Sequence, residues 1–349
     1  MLKHLNIRNF TVFAEADFEF SKGLNVIVGT NGTGKSHVLK LGYAVLRSLT
    51  SRLRNWNTSL DSPLTSLRDI FRPIPADVSE LIRRQVATSA LVQYALDDER
   101  LSPGQVFLSP EISTESQLIA TPATAVDEVQ AANTAPVFIP AKEVLSLGWM
   151  YPASEQLHLP LDATYLDLLT QLNRLPLKKP GAEGVITQLT QQLGGTVEAE
   201  GSRFYLSFAK QKPMDINVVA EGLRKFGTLQ RLLSNGSLTQ TSTLFWDEPE
   251  ANLNPALLRK LAVLLVELAR RGFQIILATH SLFLLKEFHI LAQQEPTPIR
   301  YFGLYEGLDG ATQVEATDDF ETLEHIAALD AELEQTVDFQ QALDHDDAN

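Results

Sequence analysis

The sequence predicts an α/β fold, a mixed sheet with flanking helices and a long irregular and helical insertion. Three observations carry this. A short apolar strand at residues 24–28 runs into a glycine-rich turn and then a helix. Two further apolar runs, 244–246 and 274–278, read as buried parallel strands because neither alternates with polar residues. A helix-length segment at 255–271 lies between them and completes a βαβ unit.

Taken in order, Leu5, Ile7, Val12, Phe18 and Phe20 give alternating strand segments ahead of the 24–28 strand. Val38, Leu41, Val45 and Leu49 fall on one side of a helix over 35–49. Residues 51–200 have a different texture. Pro63, Pro73, Pro75, Pro103, Pro110 and Pro122 break the pattern repeatedly, and 120–135, rich in Ala and Thr, reads as a surface loop or linker. Within this stretch Val137–Ile139 reads as a strand, and 163–175 and 183–193 as helices. Beyond it, 204–208 alternates like a strand and 219–233 is helical. The expected organisation is therefore one α/β fold in two parts, 1–50 and 201–349, with 51–200 as an insertion or arm. Lys35 and Glu248 are expected to end neighbouring strands. The acidic tail from Asp318, with Asp344, Asp346 and Asp347, reads as a solvated end.

Composition narrows the functional classes. The chain has 349 residues, 44% hydrophobic and 21% charged, a soluble globular profile. It has no cysteine, which excludes thiolate metal sites, disulfides and cysteine nucleophiles and fits a cytoplasmic setting. Neither a signal peptide nor a membrane span is expected. A net charge of -14 argues against a surface that grips nucleic acid throughout. Arg47, Arg52 and Arg54 cluster after the first helix and read as a solvated helix face. His325 stands in no metal-ligating spacing.

The chemistry is carried by two segments. Gly29-Thr30-Asn31-Gly32-Thr33-Gly34-Lys35-Ser36 matches G-x-x-x-x-G-K-[ST], the Walker A motif of P-loop NTPases, and has the required strand before and helix after. Its glycines let backbone N–H groups converge on phosphate oxygens, and the helix N-terminus adds positive potential. Lys35 can reach the terminal phosphates and the Ser36 hydroxyl can ligate Mg²⁺. The cofactor set expected is ATP with Mg²⁺, bound by Gly29, Asn31, Gly32, Thr33, Gly34, Lys35, Ser36 and His37. In Thr243-Leu244-Phe245-Trp246-Asp247-Glu248-Pro249 an apolar strand ends in two carboxylates. Asp247 would hold the metal shell and Glu248 would polarise water. Next come Glu250-Ala251-Asn252-Leu253-Asn254-Pro255, where Asn254 can cap a helix opened by Pro255, and His280 in Ala278-Thr279-His280-Ser281. Ala220-Glu221-Gly222-Leu223-Arg224-Lys225 opens a helix ahead of this second segment.

In this order the segments resemble the ABC-type ATPases of the RecF/SMC/OLD group, and more closely its stand-alone bacterial AAA family ATPases. The resemblance covers 1–45, 215–290 and Phe138-Ile139-Pro140-Ala141-Lys142-Glu143. It implies an ABC-ATPase-head fold and ATP held between two heads of a homodimer. Lys35, Ser36 and Asp247 would then bind phosphate and Mg²⁺, Glu248 would be the base, and His280 the switch. Glu221 and Gly222 would act on the other subunit's ATP. In the resembled group the signature turn starts with Ser; here the residue is Ala220. Gln85, Gln93 and Gln105 are candidates for the Q-loop glutamine, while Lys142 and Glu143 stand where that loop falls. The expected function is an ATPase that couples hydrolysis to a process involving DNA or a partner, such as genome maintenance or phage defence. The alternative is a nucleotide-state scaffold that regulates a separate effector protein. A transporter subunit fits less well, since the insertion is long and the L-S-G-G-Q form is missing.

Overall fold

The computed structural model describes residues 1–54, 63–74, 77–84, 87–98, 103–109, 135–157, 159–324 and 335–341. The expectations placed on the Ala/Thr-rich stretch, on Gln85, on His325 and on Asp344, Asp346 and Asp347 lie outside these residues, as do the side chains of Arg52 and Arg54.

Three sheets organise the chain. The central one has six strands in the order β13-β12-β3-β11-β10-β6. They are β13 (Thr312–Thr317), β12 (Ile299–Glu306), β3 (Leu24–Gly29), β11 (Gln274–Thr279), β10 (Thr243–Asp247) and β6 (Val137–Ile139). All neighbours are parallel except β12 and β13. A second sheet is antiparallel, β2-β1-β4-β5, made of β1 (Leu2–Phe10), β2 (Phe13–Glu19), β4 (Ala90–Leu96) and β5 (Gly104–Leu108). The third joins β7 (Thr196–Glu200), β8 (Arg203–Phe208) and β9 (Gln211–Asp215). The 51–200 stretch thus supplies β4 and β5 to the antiparallel sheet, β6 to the central sheet and β7 to the small one.

Continuous apolar runs suit the central strands because both faces are covered. Successive side chains point to opposite faces, so Leu24, Val26 and Val28 enter one core while Ile27 enters the other. Leu244 and Trp246 join the first core and Phe245 the second. The first core is closed by α5 (Glu183–Leu193), α6 (Glu221–Ser234), α7 (Pro255–Arg270) and α8 (Leu282–Gln294). The second holds α1 (Lys35–Arg54) between the central and antiparallel sheets. Two short helices, α2 (Pro63–Phe71) and α3 (Met150–Leu157), and α4 (Ala163–Leu172) complete the set used below. The sequence places the α4 end at 175; the helix stops at Leu172 and Asn173 caps it. It also starts the signature helix at 219, where a single 3₁₀ turn, Ile216–Val218, precedes α6.

One expectation fails. β3 and β10 are not neighbours, because β11 is hydrogen-bonded between them. The register explains why the site still assembles: Asp247 pairs with Ala278, and Thr279 with Val28. The carboxyl ends of β3, β11 and β10 therefore finish level, which is where open α/β sheets place ligands.

Candidate nucleotide site

The loop between β3 and α1 bends through Gly32 at φ +90° and Gly34 at φ +89°, a conformation that disfavours any side chain. A Cβ on Gly34 would also strike Val12 Cγ2 at 2.7 Å and Phe13 at 2.8 Å, so sterics fix glycine here twice over. Thr33 Oγ1 donates to the Thr30 carbonyl at 2.9 Å and braces the turn. Lys35 is buried, and its ammonium donates to the carbonyls of Gly29 and Thr30 at 2.8 and 2.9 Å. Burial lowers its pKa, opposed by Glu248, Asp247 and Glu250.

Ser36 Oγ donates to Asp247 Oδ1 at 3.0 Å and joins the two motifs. Burial raises the Asp247 pKa, against the Ser36 hydrogen bond. A hydroxyl beside a carboxylate is a hard-oxygen donor pair of the kind Mg²⁺ accepts together with phosphate oxygens and water. Among the described residues no group of three His, Asp or Glu could hold a metal alone. The residues present thus fit a metal that arrives with its nucleotide.

Glu248 sits at φ +46°, uncommon for a residue with a side chain, and its N–H donates to the Ala278 carbonyl at 2.9 Å. His280 Nδ1 lies 3.7 Å from Glu248 Oε1. Lys35, Ser36, Asp247, Glu248 and His280 are thereby gathered at the carboxyl ends of β3, β11 and β10, with Gly29 closing β3 and Asn31, Gly32, Thr33 and Gly34 in the loop that follows. His37 is turned the other way. Its Nδ1 is 3.0 Å from Thr11 Oγ1 and its ring packs on Phe71, so only its backbone N–H is left for a phosphate. Glu221 and Gly222 open α6, whose cap, Ala220, makes no side-chain hydrogen bond.

Sequence reasoning missed four contacts. Lys225 is buried and donates to the backbone carbonyls of Glu248 and Pro249 at 3.2 and 3.3 Å. Burial pulls its pKa down to about 8, opposed by Glu250, Glu221, Glu248 and Glu143. Glu221 Oε1 accepts from Asn252 Nδ2 at 2.8 Å, within one chain. Glu143 pairs with Arg224 at 3.0 Å. Lys40, one helical turn beyond Ser36, pairs with Asp162 at 3.0 Å. No local signal marked these contacts, because Arg224, Lys225 and Glu250 stand in segments that carry other charged and polar residues. Of the Q-loop candidates, Gln93 and Gln105 face each other across β4 and β5. Lys142 and Glu143 follow β6, the neighbour of β10.

A glycine-rich loop, a hydroxyl–carboxylate pair and a carboxylate–histidine pair at the carboxyl ends of these strands give the chain the fold and layout of an ABC-type P-loop head. An AAA-domain family described as "AAA domain, putative AbiEii toxin, Type IV TA system" matches residues 145–286, and a second AAA-domain family matches residues 4–54. The DNA replication and repair protein RecF of Streptococcus uberis is 40% identical over 53 residues, which span 15% of this chain and 15% of the relative. Solved SMC heads share the fold. One bound to the C-winged helix domain of ScpA has a TM-score of 0.57 at 16% identity, covering 92% of this chain and 98% of that one. The SMC head of Thermotoga maritima gives 0.51 at 15% identity, covering 90% and 98%. The chain thus has the fold of an SMC head, carries two separate AAA-domain matches and is similar to RecF over a short segment.

Proposed function

We propose that this chain binds ATP with Mg²⁺ and hydrolyses it. The observation that supports this best is the 3.0 Å hydrogen bond from Ser36 to Asp247, with Glu248 as the next residue. On this reading, Lys35 neutralises the terminal phosphates, and Ser36 and Asp247 hold the metal. When bound, the metal would supply neutralisation of the phosphates' negative charge. Glu248 takes the proton of the attacking water, and His280 contacts the γ-phosphate side. The test is Glu248→Gln. It should keep ATP affinity and lower turnover by about 10²–10⁴-fold, the usual range for a lost general base. Phosphate release within twofold of the natural protein removes Glu248 from this role.

Dimerisation around ATP is the second part of the proposal. Glu221, at the opening of α6, would act on the partner copy's nucleotide. Two structural neighbours are SMC heads bound to parts of ScpA, and the RecF relative is a DNA replication and repair protein. By that analogy the 51–200 arm would couple the ATP cycle to DNA or to a partner protein. The matched family's description names a type IV TA system; genome maintenance or phage defence is the setting we propose. The reading as a scaffold of little turnover draws on Ala220, which offers no hydroxyl at the turn that would close on the partner's nucleotide.

A further inference from the structure

His280 is held by a residue outside the site as described. Glu250 Oε1 accepts from Thr279 Oγ1 at 2.7 Å and from the His280 backbone N–H at 3.0 Å, and it lies 3.4 Å from His280 Nδ1. One carboxylate oxygen thereby grips both the backbone and the ring of a single turn. The Glu250 side chain is 8% exposed, while the His280 side chain is 50% exposed. Glu248 Oε1 stands 3.7 Å from the same Nδ1. Two carboxylates on one edge of the ring leave Nε2 on the edge turned away from both.

A carboxylate buried to this depth is costly unless compensated. Glu250 Oε2 has no hydrogen-bond partner among the described residues, so the grip of Oε1 on the 279–280 turn is its main polar role. Its counter-charge is on α6, where Lys225 is buried and feels Glu250 more than any other carboxylate. Retained buried polar groups that are only half satisfied call for a specific reason. Here the reason is geometric: a ring held by one nitrogen presents the other in a fixed direction.

We infer that Glu250 is a positioning residue for His280. It fixes the Nδ1–H tautomer and the rotamer of the ring, so that Nε2 faces the terminal phosphate of the bound nucleotide. This rests on the reading of the site as an ATPase centre. It adds a residue that would never touch the nucleotide itself.

A double-mutant cycle separates positioning from general support of the fold. Glu250→Ala should lower kcat by about 10–100-fold, the size seen when a supporting partner of a functional histidine is removed, with KM for ATP nearly unchanged. In a His280→Ala background the same change should cost less than about twofold, because the ring it serves is gone. Glu250→Gln, which keeps an acceptor oxygen, should recover most of the loss; if Glu250→Ala does not fold, Glu250→Met, of similar length and without an acceptor oxygen, replaces it in the cycle. The full cost persisting in the His280→Ala background would overturn the inference, as would an unchanged kcat in Glu250→Ala. Long-range ¹⁵N spectra of the natural protein give an answer independent of turnover. The His280 ring should be the Nδ1–H tautomer and become mixed in Glu250→Ala; an Nε2–H ring in the natural protein overturns the assignment. If the natural protein hydrolyses no ATP, the ATPase reading falls, and the spectra still decide whether Glu250 sets the ring.

Discussion

Lys35 is a flexible cation held in place by its own loop. Its ammonium rests on the Gly29 and Thr30 carbonyls, and burial already disfavours its charge. A phosphate gives that charge a partner, so binding should depend steeply on this side chain. Lys35→Ala should weaken ATP–Mg²⁺ binding by at least about tenfold, or ~1.4 kcal/mol, in isothermal titration. Unchanged affinity would move the nucleotide elsewhere. This residue was legible in the sequence because the spacing of a phosphate loop is local. Lys225 was not. Nothing in Glu221-Gly222-Leu223-Arg224-Lys225 distinguishes a surface lysine from a buried one, and its partners are carbonyls 23 and 24 residues away.

At the scale of elements, α6 links the turn after Asp247 to the 51–200 stretch. Its first turns meet Glu143 and the 248–249 backbone through Arg224 and Lys225. Further along, Gln230 bonds to Val197 N and Gly195 O, and Arg231 to the carbonyls of Leu172 and Arg174. Each of these is a buried polar contact that fails if the helix shifts. Lys225 gives this element a pH signature. Its pKa is about 8 when folded against an ordinary 10.5. Between those values the unfolded chain holds the proton that the folded chain has released, so stability rises with pH across that window. The slope is at most about 1.4 kcal/mol per pH unit. In Lys225→Met this component should vanish, so the variant's stability relative to the natural protein should fall steadily as pH rises from 8 to 10.5. Parallel denaturation curves for the two proteins across that range would refute the placement of the buried ammonium.

For the whole molecule, symmetry makes the test of a shared site. A two-fold dimer has two identical composite sites. In the proposed dimer Lys35→Ala would ruin its own pocket, while Ala220→Trp would block the exposed opening of α6. Gly222 is the poorer target, because a Cβ there meets Leu253 of its own chain at 3.0 Å. Each variant alone should be inactive. Mixed equally, about half the dimers are mixed, and each has one intact site, so independent sites recover roughly a quarter of full activity. A mixture with no activity, beside an active natural dimer, overturns the shared-site arrangement. The net charge of -14 sets the second expectation at this scale. DNA binding should be confined to a local patch and should fall steeply with salt. A filter-binding affinity that persists at high salt would contradict it.

The sequence by itself determined the elements whose signals are local. The glycine loop, the apolar strand ending at Asp247 and Glu248, the helix opened by Asn254 and Pro255, and His280 at a strand end each declare their chemistry within a few residues. Their meeting was implied by the pairing of motifs. Only the tertiary structure decided how they meet. Strand order put β11 between β3 and β10, and register, a property of paired chains, brought Gly29, Asp247 and His280 level. The charged contacts Glu250–His280, Lys225–Glu248, Glu143–Arg224 and Lys40–Asp162 span from 23 to 122 residues of chain. A charged side chain carries no mark of its partner, because burial and pairing arise only when distant segments pack. For the same reason β4 and β5 were hidden in the irregular stretch, since β4 pairs with β1 outside it and β5 pairs with β4. The β6 strand was legible at Val137–Ile139, but its place beside β10 was not.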